Sequence, residues 1–148
     1  MTGSATEIAN LLYRYAELMD AGDFAGAADL FAHAVIIVDP TPGAPTLDAA
    51  GILAVWEQYV VRYDDGTPRT KHVVTNPIID IDEQADTATA RSYYTVLQQV
   101  HEQPLRPIVA GRYHDRFVRV EGQWRFSERN YALMDLVGDL SAHMTMPL

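Results

Sequence analysis

The chain has 148 residues, about the size of one domain, and its content of 48% hydrophobic and 21% charged residues is typical of a globular protein. Its 11 basic and 20 acidic residues give a net charge of −9, which argues against nucleic acid and anionic membranes as partners. The absence of cysteine excludes disulfides, thiolate nucleophiles and zinc–thiolate sites. The N-terminus has no secretory pattern and no apolar stretch is long enough to span a bilayer, so we expect one cytoplasmic domain over residues 1–148.

Helical patterns occupy the first part of the chain. Ser4 and Glu7 have the spacing of a capping box, and apolar residues then recur every three or four positions as far as Asp20. Gly22 predicts the end of this helix, and Asp23 predicts the N-cap of a short second helix.

A short strand over residues 34–39 and a proline-rich loop over residues 40–45 follow. A third helix is predicted to begin at Thr46 or Asp48 and to end at residues 64–66, an Asp-Asp-Gly sequence.

From about residue 69 the pattern becomes alternating and predicts a four-stranded antiparallel meander. The predicted strands are Thr70–Asp82, Thr87–Val100, Arg106–Val120 and Gln123–Ala132. Helices followed by a meander indicate an α+β fold, in which a curved antiparallel sheet wraps three N-terminal helices into a cone with a pocket.

Most cofactor and metal motifs are absent from the sequence. There is no glycine-rich phosphate loop, no dinucleotide fingerprint and no nucleophile elbow. His101 and Glu102 begin like a zinc-protease motif, but Leu105 replaces the second histidine and Pro104 breaks the required helix. No spacing of the five histidines would place two ligands on one helical face, so a metal site could arise only by long-range convergence. We expect neither a cofactor nor a metal.

Acid–base chemistry remains, and two residues are candidates for it. Asp20 lies at the end of the first helix among apolar neighbours, although an exposed helix end would be the ordinary location for such a residue. His72 begins a predicted strand whose alternation places it with Val74, Asn76 and Ile78 on one face. If that face meets the helices, the imidazole lies opposite Asp20, which would orient the ring.

The later strands supply further candidates. Alternation places Tyr113 on the inner face of its strand with Asp115 and Phe117, and leaves Arg112, His114 and Arg116 outside. On the last strand, Asn130 is predicted to share the inner face with Trp124, Phe126 and Glu128. Trp56 on the third helix is either a core residue, the commoner case, or part of a ligand platform.

Three stretches of the sequence together resemble one known family. They are residues 8–24 (IANLLYRYAELMDAGDF), 72–76 (HVVTN) and 111–126 (GRYHDRFVRVEGQWRF). They resemble the SnoaL-like family of the nuclear transport factor two superfamily, in particular the branch with scytalone dehydratase, hexachlorocyclohexane dehydrochlorinase and bile acid 7-alpha dehydratase. The resemblance implies a cone-shaped α+β fold.

Enzymes of that branch remove a proton and expel a leaving group without a cofactor, by means of an aspartate–histidine pair. The resemblance implies that Asp20 and His72 are this pair. It also implies that Tyr15 is similar to the tyrosine that the bile acid dehydratase places near its aspartate. Five residues rotate about 140° around a helix, so Tyr15 and Asp20 share a pocket only if it wraps the helix end.

We therefore predict an acid–base lyase, dehydratase, isomerase or cyclase that acts on a small, apolar, ring-containing substrate. Asp20 and His72 are the predicted catalytic residues, and which of them takes the proton stays open. The predicted substrate-binding residues are Tyr15, Trp56, Asn76, Tyr113 and Asn130. The alternative is a non-catalytic ligand-binding protein or an accessory subunit of the same fold.

We also expect a homodimer. The helices cover only one face of the sheet, and apolar residues on the other face would otherwise meet water. The residues assigned to that face are Val73, Ile79, Ile81 and Val118.

Overall fold

The computed structural model describes residues 3–146 and contains three helices and six strands within that range. The helices are α1 (Ser4–Asp20), α2 (Phe24–Asp29) and α3 (Ala49–Tyr59). The strands are β1 (Val35–Ile37), β2 (Thr70–Asp82), β3 (Thr87–Gln98), β4 (Arg106–Val120), β5 (Gln123–Asn130) and β6 (Met134–Val137).

The sheet is curved, mixed and unclosed, with the order β1-β5-β4-β3-β2. Strands β2 to β5 form the predicted antiparallel meander. Strand β1 joins it in parallel beside β5, and the short β6, which the sequence pattern did not predict, pairs with β4. The helices pack on one face of this sheet, which confirms the α+β architecture.

Helix α1 is amphipathic, and its apolar residues form the centre of the core. The helix ends as predicted: the amide of Gly22 donates to the Met19 carbonyl and the amide of Asp23 donates to the Leu18 carbonyl. Gly22 has a φ of +77° and a Cβ there would lie 2.1 Å from the Gly66 carbonyl oxygen, so glycine is required. This tight end fixes Asp20 in the last turn.

Two predicted helix boundaries are wrong. The N-cap of α1 is Gly3, without a side-chain cap, and Ser4 already lies inside the helix, where its hydroxyl accepts from Arg119 at 3.5 Å. Helix α3 ends at Tyr59, because Val60 leaves the helix in an extended conformation and pairs with Met144. This partner lies 84 positions further along the chain, beyond the reach of a local pattern.

Two β-bulges change which side chains face the core. In β2 the register shifts between Thr75 and Ile78, where Asn76 has a φ of +44°. The predicted alternation holds before this bulge and is reversed after it: Ile78 is 47% exposed, and Ile79 and Ile81 pack against the core. The assignment of Ile79 and Ile81 to the outer face is therefore wrong.

The second bulge lies in β5. Phe126 pairs with Phe117 and Glu128 pairs with Arg116, so Ser127 is the extra residue. The bulge reverses the faces after Phe126 and turns Arg129 and Tyr131 inward.

Candidate active site

The structure brings Asp20 and His72 into contact. Oδ1 of Asp20 lies 2.5 Å from Nδ1 of His72, and the two side chains are 8% and 6% exposed. Oδ2 of Asp20 accepts from the backbone amide of His72 at 2.8 Å, and Oδ1 accepts from the hydroxyl of Thr70 at 2.9 Å. The carboxylate thus ties the end of α1 to the start of β2 and holds the imidazole in one orientation, with Nε2 left to meet a ligand.

Tyr15 connects this pair to an aromatic cluster. Its ring packs edge-on against the His72 ring, with a centroid distance of 6.1 Å. The same ring contacts Trp56 at 6.2 Å and Tyr113 at 6.0 Å, and the Tyr131 hydroxyl donates to the Tyr15 hydroxyl at 2.8 Å. Of the predicted binding residues, Tyr15, Trp56 and Tyr113 therefore lie together in one cluster, which meets the pair through Tyr15.

The other two predicted binding residues lie elsewhere. Asn76 is exposed at the β2 bulge, about 13 Å along the strand from His72 at about 3.3 Å per residue. Asn130 is turned to the outer face by the β5 bulge, where it pairs with His114 and its side chain accepts from the Ala132 amide at 2.8 Å. The placement of Asn130 on the inner face is wrong for this reason.

A buried ion pair, missed by the sequence reasoning, lies behind the aromatic cluster. The guanidinium of Arg129 donates to Asp115 through Nε at 2.7 Å and Nη2 at 2.9 Å, and both side chains are 0% exposed. It lies 3.9 Å from the centroid of the Tyr113 ring and 4.5 Å from that of Tyr15. Among the described residues 3–146, no group accepts from its buried Nη1.

Charge and burial act against each other in this cluster. Burial disfavours the charge of Arg129, but the Asp115 carboxylate outweighs it and holds the pKa of the guanidinium above its ordinary value. Burial raises the pKa of the Tyr15, Tyr113 and Tyr131 hydroxyls, so they stay protonated and able to donate. One signal in the sequence points to such a cation: alternation places Asp115 on the inner face, and a buried carboxylate requires a cationic partner.

A groove between α1 and the edge strand β2 leads to the pair. Its volume is about 690 Å³. Asp20 and His72 lie in its wall, with Ala16 and Val74 as apolar neighbours and Lys71 at the rim. A small molecule can therefore approach the imidazole from this side.

Within residues 3–146 no group of three or more histidine, aspartate or glutamate side chains is arranged to hold a metal ion. No helix in that range is long and apolar enough to cross a membrane.

Comparison with known proteins places the chain in a family. The family model for the SnoaL-like domain matches residues 3–130. The chain belongs to the SnoaL-like family. No curated protein matches its sequence.

Solved structures share the fold of this SnoaL-like protein. ActVI-ORFA from Streptomyces coelicolor is 25% identical, with a TM-score of 0.70 over 89% of this chain and 98% of that one. A candidate scytalone dehydratase from Novosphingobium aromaticivorans is 23% identical, with a TM-score of 0.67 over 91% and 86%. The beta subunit of a candidate aromatic-ring-hydroxylating dioxygenase from the same organism is 18% identical, with a TM-score of 0.68 over 95% of each chain. The fold therefore occurs in proteins with different described roles.

Proposed function

We propose that this SnoaL-like protein is a cofactor-independent acid–base enzyme, a lyase or dehydratase, or an isomerase or cyclase, that acts on a small ring-containing substrate. The observation that carries the proposal is the 2.5 Å contact between Asp20 Oδ1 and His72 Nδ1 beside a groove. A carboxylate on Nδ1 stabilises the imidazolium that forms when Nε2 takes a proton.

His72 is the better candidate for the base. Both carboxylate oxygens of Asp20 already accept hydrogen bonds, from Thr70 and from the backbone and ring of His72. Removing a substrate proton with Asp20 would break these contacts, whereas Nε2 of His72 needs no rearrangement. Asp20 then acts as the positioning and charge-stabilising partner.

Breaking a C–H bond leaves negative charge on the substrate or on a departing group. Two donors lie on this side of the pair: the protonated Tyr15 hydroxyl, whose ring packs against His72, and the Arg129 guanidinium, which lies behind that ring. Such donors stabilise developing charge best in a dry, preorganised environment, and both side chains are buried.

The test is proton exchange in deuterated buffer. The purified protein is incubated with a panel of cyclic ketones, alcohols and halides, and loss of a C–H proton or formation of a double bond is followed by NMR. We expect at least one compound to react, and the reaction to be lost in His72→Ala and kept in His114→Ala, a change at an exposed histidine. Full activity of His72→Ala would overturn the proposal.

A binding role without catalysis is the second candidate, and one observation favours it. The interior behind His72 is filled by Tyr15 and the two rings packed on it, Trp56 and Tyr113, which are 2%, 5% and 2% exposed. A panel compound that binds in the groove, while no compound of the panel reacts, would favour this role.

We further propose a homodimer formed through the outer face of the sheet. Val73, Ile78 and Tyr93 are 40%, 47% and 58% exposed on the adjacent strands β2 and β3. Val118, also assigned to this face, is half-buried on β4.

A further inference from the structure

Strand β2 lies at one edge of the sheet, and one side-chain contact shows which of its backbone groups face outward. The amide of His72 donates to Oδ2 of Asp20 at 2.8 Å, so this amide points away from β3. In an antiparallel pair, successive residues direct their amide and carbonyl groups alternately toward the partner strand and away from it. The register is continuous from Thr70 to Thr75. Val74 therefore directs its amide and its carbonyl to the free edge, as His72 does.

The edge groups of Val74 have no partner among residues 3–146. In that range β2 pairs only with β3, and no other backbone or side-chain group bonds to the Val74 amide or carbonyl. Backbone amides and carbonyls are strong hydrogen-bonding groups, and an unpaired edge presents them as a template for another chain. The edge at Val74 is therefore open to a ligand.

The open part of this edge is short. On one side, the Asp20 carboxylate occupies the edge at the His72 amide. On the other side, the β2 bulge shifts the register at Asn76, and the next residue, Pro77, has no amide N–H. An added strand of a partner protein has no continuous edge to pair with, whereas a unit the size of one residue fits at Val74.

This edge forms one wall of the groove that leads to the candidate catalytic pair. Four consecutive residues, 71–74, line the groove. Because consecutive side chains of a strand point to opposite faces, such lining means that the groove runs along the strand edge. The facing wall is α1, with Ala16 and the 42% exposed ring of Tyr13. Val74 lies about 7 Å along the strand from His72, at about 3.3 Å per residue.

We propose that the β2 edge at Val74 binds an acylamino unit, –NH–CHR–CO–, of a small ligand. Residues that form a hydrogen-bonded antiparallel pair exchange two bonds, one N–H to C=O bond in each direction. The N–H of the ligand donates to the Val74 carbonyl, and its C=O accepts from the Val74 amide. Ala16 and Tyr13 suit an apolar R group. The site goes beyond the proposed function, since binding at Val74 requires no proton transfer by His72.

The binding test uses two compounds that differ in one donor: N-acetylphenylalanine N-methylamide, and the same compound methylated on the phenylalanine nitrogen. The added methyl group removes the N–H that the Val74 carbonyl accepts. We expect the first compound to bind about fivefold more tightly in an NMR titration, the effect of one ordinary hydrogen bond. Equal affinity of the two compounds, or no binding of either, would overturn the inference.

A matched pair of variants tests the protein side of the same contact. Val74→Pro removes the amide without breaking the ladder, because this amide does not pair with β3 and proline is accepted on an edge strand when its nitrogen faces outward. It should weaken the binding of N-acetylphenylalanine N-methylamide about fivefold. Val74→Ala keeps the amide and should keep most of the affinity. Thermal unfolding verifies that both variants are folded.

Amide hydrogen exchange tests the site without a substitution. In the free protein, the Val74 amide should exchange faster than that of Val73, which pairs with β3. N-acetylphenylalanine N-methylamide at about ten times its Kd should slow the Val74 amide about tenfold and leave Val73 unchanged. Slow exchange of Val74 in the free protein, or no protection by the compound, would refute the site.

One variant separates this inference from the proposed function. His72→Ala should lose the proposed reaction, yet it keeps the backbone of β2 and should keep the protection of the Val74 amide. Loss of the reaction with the protection retained would support both proposals. Protection in the wild type without any reaction of the panel compounds would leave the binding site established and count against the acid–base function alone.

Discussion

The Asp20 carboxylate contacts the His72 ring at 2.5 Å across 52 positions of sequence, and it also binds the His72 backbone amide. One carboxylate thus holds both the strand and the ring. The backbone amide and Thr70 fix the carboxylate, so the imidazole cannot turn without losing its contact with Oδ1.

Asp20→Asn and His72→Ala should each lower the rate by about a hundred- to ten-thousand-fold, the usual contribution of a general base. The double variant should lose little more than either single variant, because the two residues act as one unit. The rates come from the proton-exchange assay with the most reactive panel compound. Asp29→Asn, at an exposed position at the end of α2, is the matched control. Losses that multiply in the double variant would show that the residues act independently.

The buried Arg129–Asp115 pair should matter for stability in an asymmetric way. Arg129→Met leaves the Asp115 carboxylate buried without a partner, which should lower the free energy of unfolding by about 3–5 kcal/mol. Adding Asp115→Leu should recover most of this loss, because two apolar side chains need no partner. Urea denaturation measures both. Arg112→Met breaks an ion pair with Asp135 whose side chains are 40% and 44% exposed, and it should hardly change stability.

The reaction should need no metal. The sequence has no cysteine, and no metal-binding group of side chains occurs within residues 3–146. Dialysis against a strong chelator should leave the exchange rate unchanged. A stoichiometric metal in the purified protein, together with loss of activity after chelation, would contradict this prediction.

Local patterns were sufficient for most of the fold, but for the central pair they gave two separate candidates that only the family resemblance joined. The end of α1 at Gly22 and the alternation at the start of β2 direct Asp20 and His72 toward each other, and both signals are local. The β5 bulge is different, because one extra residue at Ser127 exchanges the faces of everything after it. For this reason alternation predicted Asn130 inside, where the structure has Arg129.

Contacts between distant segments were also missed. The parallel pairing of β1 with β5 and the bridge of Val60 to Met144 depend on tertiary packing and leave no periodic signal. The position of His143 beside the pair follows from that bridge.

The outer face of the sheet should support a dimer in solution. Light scattering at micromolar concentration should give twice the chain mass of 16.5 kDa. Tyr93→Glu places a charge in the centre of the exposed apolar patch and should shift the protein to the monomer. Tyr13→Glu is the control: Tyr13 is 42% exposed on α1, away from this face, and the change should leave the dimer intact. A wild-type monomer would refute the proposed interface.

His143 should make the protein less stable in mild acid. Burial lowers its pKa from an ordinary 6.5 to about 4, the charge of His72 adds to this effect and that of Asp20 opposes it. Between these pH values the unfolded chain binds a proton that the folded protein does not, so the free energy of unfolding falls as the pH drops. Above about pH 6.5 His143 is neutral in both states and costs no stability. Near pH 4 its titration has lowered the free energy of unfolding by about 3 kcal/mol. His143→Leu removes the titrating group, so its stability should fall less than that of the wild type between pH 7 and pH 4.5.

Urea denaturation at several pH values measures the difference, and His114→Leu, a change at an exposed histidine, is the control. Parallel curves for wild type and His143→Leu would show that His143 titrates alike in the folded and unfolded chain, and hence that it is not held neutral beside Asp20 and His72.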